Sequence, residues 1–218
     1  MKKAICLLLA MLMLCALAAC GAGAPAEPAE TPASAAPETS SPASEAPSDA
    51  PAKAVTDQAD SKDTLVVVFS ATGTTKGVAE KIAAITDADL YEITAAEPYS
   101  ADDLNYNDRN SRSTKEQNDK GVRPEIGSET LDLSGYTTIY LGFPIWWGEE
   151  PRILDTFVES YSFDGITMIP FCTSGSSGIG RSGDNMEALA GSGTWLEGKR
   201  FGGSVTEADL QAWIDSLK

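Results

Sequence analysis

The chain has 218 residues, with 16 Lys plus Arg against 32 Asp plus Glu, no histidine, and a formal net charge of −16. Without imidazole there can be no Ser-His or Cys-His catalytic pair and no histidine metal site, and an anionic surface repels phosphate backbones, so neither a metal nor nucleic acid is expected as a partner. The length allows one ordinary domain with an appendage, or two small domains.

Lys2 and Lys3 precede an apolar run over residues 4–19 that is short for a spanning helix and reads as a secretory signal peptide over residues 1–19. It ends in Leu17-Ala18-Ala19-Cys20, which resembles the lipobox of bacterial lipoproteins. That resemblance implies removal of the signal, lipidation of Cys20, and anchoring to the extracytoplasmic face of a bacterial membrane. The alternative is ordinary cleavage with Cys20 incidental. On the first reading Cys6 and Cys15 leave with the signal, and the mature chain keeps Cys172 as its one free thiol, with no internal disulfide. Lying beyond the apolar run 166–171, Cys172 is expected to be a buried small hydrophobe.

Residues 20–63 read as a tether. From residue 21 to 62 the stretch carries seven of the twelve prolines and no aromatic residue, so it buries too little apolar surface to offset its ordering entropy. In the polyproline limit some forty residues reach about 130 Å. Residues 64–218 form the candidate domain, which holds 24 acidic against 12 basic residues.

Within that domain, residues 64–69 are a continuous β-branched and aromatic run, as in a parallel strand buried on both faces. A turn at Gly73 leads to a helical stripe of Val78, Ile82 and Ile85. A second strand is expected over 89–94 and a third over 137–141. Pro151 then opens a helix marked by Ile153, Leu154, Phe157, Val158 and Tyr161. Further expected elements are a strand over 166–171, a helix near 184–190, a strand near 195–201, and a final amphipathic helix through Leu210, Trp213, Ile214 and Leu217, capped by Thr206. Strands alternating with helices define a doubly wound α/β sheet, whose ligands bind beyond the carboxyl ends of the strands.

Three loops at those ends carry suitable chemistry. The first, Ser70-Ala71-Thr72-Gly73-Thr74-Thr75, places hydroxyls and a glycine at a helix N-terminus, where free amides favour a phosphate. It lacks the Gly-Lys-Ser/Thr ending of a nucleoside-triphosphate loop and the glycines of a dinucleotide fingerprint. The second runs from Gly142 through Phe143, Pro144, Ile145, Trp146 and Trp147 to Gly148. Adjacent side chains do not share one direction, so one tryptophan should pack inward while the other is free to cover a flat ligand ring. The third, residues 173–180, is rich in serine and glycine and can bring backbone amides to the edge of a planar ligand.

On these segments the chain resembles the flavodoxin-like family. The first loop matches its Ser/Thr-x-Thr-Gly-x-Thr phosphate loop, and residues 142–148 resemble its second flavin loop. The resemblance implies a five-stranded parallel sheet in the order 2-1-3-4-5, non-covalent FMN and electron transfer. By it, Ser70, Thr72, Gly73, Thr74 and Thr75 hold the phosphate. Pro144, Ile145, Trp146, Trp147 and Gly148 form the ring-covering loop, with Trp147 the first choice as the stacking ring. Thr173, Ser174, Gly175, Ser177 and Gly178 border the isoalloxazine. Many relatives cover the outer flavin face with a tyrosine of the third loop, which here has no aromatic residue. That leaves the face open or covered from elsewhere, with Tyr106 of the long polar insertion over residues 97–129 as a candidate. The insertion is also the most basic stretch, with Arg109, Arg112, Lys115, Lys120 and Arg123.

Because reduced flavin is anionic, the acidic domain, with Glu149 and Glu150 beside the tryptophans, predicts a low potential. Three functions follow in order: a low-potential electron carrier exchanging with a redox partner protein, an FMN-dependent NAD(P)H:quinone-type oxidoreductase acting on a small quinone-like substrate, and a binding module that keeps the fold without the cofactor.

Overall fold

Strand β1 (Thr64–Phe69) sets the architecture. Alternate side chains enter different cores, Leu65, Val67 and Phe69 on one side and Val66 and Val68 on the other. A strand buried on both faces needs helices on both faces, and the chain supplies them. This is a computed structural model describing residues 62–218, so the expected signal peptide, Cys20 and nearly all of the expected tether lie outside the described residues. Among the described residues no helix is long and apolar enough to cross a membrane.

From β1 the chain runs through α1 (Thr74–Thr86), β2 (Asp89–Ile93), α2 (Arg112–Asn118), β3 (Thr138–Pro144), α3 (Arg152–Glu159) and β4 (Thr167–Thr173). It continues through α4 (Ser182–Ala190), β5 (Thr194–Trp195), β6 (Lys199–Phe201) and α5 (Glu207–Asp215). All strand pairs are parallel, in the order β2-β1-β3-β4-β5, with β6 also paired to β4. Ile153, Leu154, Phe157 and Val158 of α3 and Met186 of α4 pack on one face of the sheet. Val78 and Ile82 of α1 and Leu210, Trp213 and Ile214 of α5 pack on the other. The expected cap of α5 is present, with Thr206 accepting from the Asp209 amide at 3.2 Å.

The expected fifth strand divides in two, and Pro170 explains why. Along β4 the carbonyls of Ile166 and Met168 accept from Thr194 and Leu196. Alternation places residue 170 on the same side, but proline has no N–H to offer. β5 therefore pairs with Thr167 and Met168, β6 pairs with residues 171–173, and the offset between partners changes from 27 to 28 across the gap. One extra residue is absorbed there, a bulge opposite the proline.

Strands β3 and β4 run three and two residues further than expected, so Gly142, Phe143, Pro144, Cys172 and Thr173 belong to the sheet. Glycine is required at 142, because a Cβ there would lie 2.2 Å from the Phe171 ring. The Cys172 thiol is fully buried, and that burial pushes its pKa up to about 12.

Candidate functional site

The winding reverses between β1 and β3, and a cleft of about 490 Å³ opens at the carboxyl ends of β1, β3 and β4. Thr72 and Thr74 line it from the first loop, Pro144, Ile145 and Trp146 from the second, and Thr173, Ser174 and Gly175 from the third. Three segments far apart in sequence thus meet at one cavity. Leu104 and Tyr106 of the insertion and Gly203 of the β6–α5 loop complete the wall.

At the first loop, Gly73 adopts φ +82° immediately before α1 and serves as its N-cap without any side-chain capping bond. The first-turn amides of α1 are therefore uncapped donors, suited to an anion. The nearest lysine, Lys76, is held at 2.7 Å by Glu92, so hydroxyls and amides rather than a cation face the cleft. Thr75 is buried, and its hydroxyl lies 2.7 Å from that of Thr173, tying the first loop to the third. Gly203 packs against Thr74, where a Cβ would come within 2.6 Å of its methyl group.

The second loop is a two-residue hairpin. Trp146 and Glu149 exchange backbone hydrogen bonds at 2.9 and 3.1 Å, and Trp147 and Gly148 between them have φ +50° and +85°. Positive φ at both central residues is the signature of a type I′ turn, normally filled by Asn-Gly. The turn separates the tryptophans as expected. Trp146 is buried, edge-on to Phe69 and Tyr99 at centroid distances of 5.6 and 5.1 Å, while Trp147 is 41 % exposed. Tyr106 meets Trp147 at 4.4 Å with a 32° tilt, so the insertion brings an aromatic ring to the cleft wall.

The insertion also braces the second loop from behind. Buried Gln117 donates to Trp146 O at 2.8 Å and Glu150 O at 3.1 Å. Arg112 lies 4.1 Å over the Tyr99 ring and bonds Glu116 at 2.7 Å, and Glu116 in turn accepts from the Tyr99 hydroxyl at 2.6 Å. Burial and this anionic neighbour push the Tyr99 pKa up. Most of the insertion's basic charge is consumed internally: Lys120 pairs with Glu149, and Arg123 with Glu159 and Asp155.

Glu149 and Glu150, beside the tryptophans, are both held in ionic contacts. Arg152 at 2.5 Å and Lys120 at 3.2 Å pair with Glu149 and hold its pKa down. Glu150 is buried with Arg152 and Asp155, and burial raises its pKa. Asp155 is raised to about 6, first by burial and then by the charge of Glu150, while Arg152 and Arg123 oppose the shift.

Ser70, Gly73, Thr75, Trp147, Gly148, Ser177 and Gly178 do not line the cleft itself. Ser70, Gly73 and Thr75 shape the first turn, and Trp147 and Gly148 form the hairpin tip. Ser177 and Gly178 are exposed further along the third loop, where the Ser177 carbonyl accepts from the Ser174 hydroxyl. Sequence reasoning passed over Leu104, Gln117, Arg200 and Gly203. Only Gly203, within Gly202-Gly203 next to an expected helix start, carried a local signal.

A doubly wound parallel sheet with a hydroxyl-rich strand-to-helix loop and an aromatic loop at its switch point defines a flavodoxin-like α/β protein. Residues 63–217 match the model of the Flavodoxin family, and the chain belongs to that family. A candidate flavoprotein from Bacteroides uniformis is 42 % identical, with 70 % of this chain and 97 % of that chain covered at a TM-score of 0.67. Its counterpart from Bacteroides eggerthii is 41 % identical over 71 % and 97 %, with a TM-score of 0.67. A flavoprotein from Lactobacillus acidophilus, solved in complex with FMN, shares the fold at 23 % identity over 70 % and 99 %, with a TM-score of 0.54. Among curated proteins none matches.

Proposed function

We propose that the domain binds FMN non-covalently in the cleft and acts as a low-potential electron carrier, tethered through Cys20 to the extracytoplasmic face of a bacterial membrane. The observation that carries the reading is the convergence of the three loops on one cavity with a hydroxyl-and-amide end at Thr72 and Thr74 and an aromatic end at Trp146 and Tyr106. Its size lies within the range of small-molecule sites. Family membership supports FMN as the ligand, and the Lactobacillus acidophilus relative holds FMN on the same fold.

When bound, FMN supplies the redox chemistry. The chain's own groups do the rest. Hydroxyls of the first loop and the uncapped amides of α1 receive the phosphate, so the tail is held without a cation. Tyr106, which lines the cleft and is backed by Trp147 at 4.4 Å, covers a ring face and excludes water from it. The Ser174–Gly175 backbone borders the ring edge. The domain's excess of carboxylates disfavours added negative charge on the ring and lowers its potential.

Incubation of the purified protein with FMN tests the reading: quenched flavin fluorescence and a shifted visible band are expected. A midpoint below that of free FMN, and no bleaching by NAD(P)H in the absence of a reductase, support the carrier. Direct bleaching by NAD(P)H with reoxidation by a quinone supports the reductase instead. For the tether, globomycin-sensitive processing and metabolic labelling by palmitate are expected, and both should vanish in Cys20→Ala.

A further inference from the structure

The third loop is gripped from behind by a single side chain. Arg200, in the middle of β6, donates through Nη2 to Ser174 O at 2.5 Å and Gly175 O at 2.6 Å, and through Nε to Ser174 Oγ at 3.2 Å. In a trans peptide each carbonyl is antiparallel to the following N–H. With both carbonyls turned onto the guanidinium, the amides of Gly175 and Ser176 point away from it. Ser174 and Gly175 line the cleft, whereas Arg200 lines a separate hollow beside Trp213 and α5. Among the described residues, no backbone amide of residues 175–178 donates to another backbone group, and no carboxylate pairs with Arg200. The loop therefore has free donors in front and an unpaired cation behind.

We infer that Arg200 is a positioning residue of the cofactor site, turning the Gly175 and Ser176 amides into donors for the ring's acceptor atoms and setting a positive charge behind them that favours the reduced ring over the oxidised one. The inference rests on the FMN reading. Reduction by two electrons, taken from an added reductant such as dithionite, with uptake of one proton, leaves one net negative charge on the ring. Donors and a nearby cation act more strongly on that form than on the neutral oxidised ring. Arg200 thus offsets locally the depression imposed by the acidic domain, and its removal lowers the potential further.

The test compares the wild type with Arg200→Gln and Arg200→Lys, using apoprotein thermal unfolding, FMN affinity from fluorescence quenching, and the two-electron midpoint from a reductive titration with a reference dye. Arg200→Gln is expected to weaken oxidised FMN about tenfold and reduced FMN about a hundredfold. That tenfold change in preference is a midpoint lower by about 30 mV. Arg200→Lys keeps the charge without the planar fork, and is expected to weaken both forms while leaving the preference within about threefold of wild type. Equal loss of both forms in Arg200→Gln, with an unmoved midpoint, overturns the inference, as does a shift in Arg200→Lys as large as that of the neutral variant. Arg200→Met, which keeps the apolar stem, answers the question if Arg200→Gln does not fold. Failure of the wild type to bind FMN is a separate result: it removes the cofactor reading itself.

Discussion

Thr75 and Thr173 are separated by 98 positions in the chain, yet their buried hydroxyls lie 2.7 Å apart and join the first loop to the third. Either can donate, and each leaves the other unpaired if removed. Thr75→Val is expected to cost about 1–3 kcal/mol in urea unfolding, since it strands the Thr173 hydroxyl in the core. Thr75→Val with Thr173→Val should recover much of that loss, because an apolar pair of the same shape strands nothing. A double-mutant cycle that gives strictly additive losses shows that the two hydroxyls do not couple.

Trp147 occupies a backbone position that favours Asn or Gly. A bulky residue at φ +50° bears strain of about 1–2 kcal/mol, offset by its contact with Tyr106. Trp147→Asn relieves the strain and loses the contact, so apoprotein stability should stay within about 1 kcal/mol of wild type. Removing a core tryptophan costs about 3–5 kcal/mol. FMN affinity should nevertheless fall about tenfold, read by fluorescence titration. Unchanged affinity removes Trp147 from the proposed ring cover.

The first loop, the two divergent tryptophans and the parallel strands were readable because their signals are local. Val66 and Val67 are apolar in sequence for the same reason they enter opposite cores, and the step from Trp146 to Trp147 reverses direction by simple chain geometry. The insertion was readable only at Tyr106, which stood as a candidate cover and does line the cleft; nothing in residues 97–129 reveals that Gln117 reaches the Trp146 carbonyl or that Tyr106 meets Trp147. Both depend on a tertiary path with little periodicity. The split of the fifth strand was present in Pro170, but its consequence lies on the neighbouring strand. Arg200 was hidden because its partners are two carbonyls, which any sequence supplies, and one serine hydroxyl 26 positions away.

Asp155 predicts a pH dependence with a defined sign. It is surrounded by Glu150, by Arg152 of its own helix and by Arg123 of the insertion, while Asn185 of α4 holds Glu150 at 3.1 Å. With a native pKa of about 6 against an ordinary value of 3.8, the folded protein keeps a proton between about pH 4 and 6 that the unfolded chain has released. Stability from this group is therefore present at low pH and is lost as pH rises through 6. Over that window the wild type should lose about 2–3 kcal/mol more than Asp155→Asn in urea unfolding. Parallel pH profiles for the two proteins contradict the assignment.

Gln117 ties α2 to the turn that carries the tryptophans. Gln117→Leu leaves the Trp146 and Glu150 carbonyls without their side-chain donor and should destabilise the protein by about 1–3 kcal/mol. Hydrogen exchange should rise together in residues 112–118 and 146–150, and FMN affinity should fall with it. Faster exchange confined to α2 indicates that the insertion does not support the site.

The most direct measurement of the central claim is a fluorescence titration of the purified apoprotein with FMN, repeated with riboflavin, which lacks the phosphate. The account predicts one saturable site per chain, with a dissociation constant of about 1 μM or tighter for FMN, quenched flavin emission, and binding of riboflavin weaker by at least about a hundredfold, or ~2.7 kcal/mol. No saturation by FMN at about a hundred times that concentration, or equal affinity for the two flavins, contradicts a site that holds the phosphate at the first loop and the ring against the aromatic end.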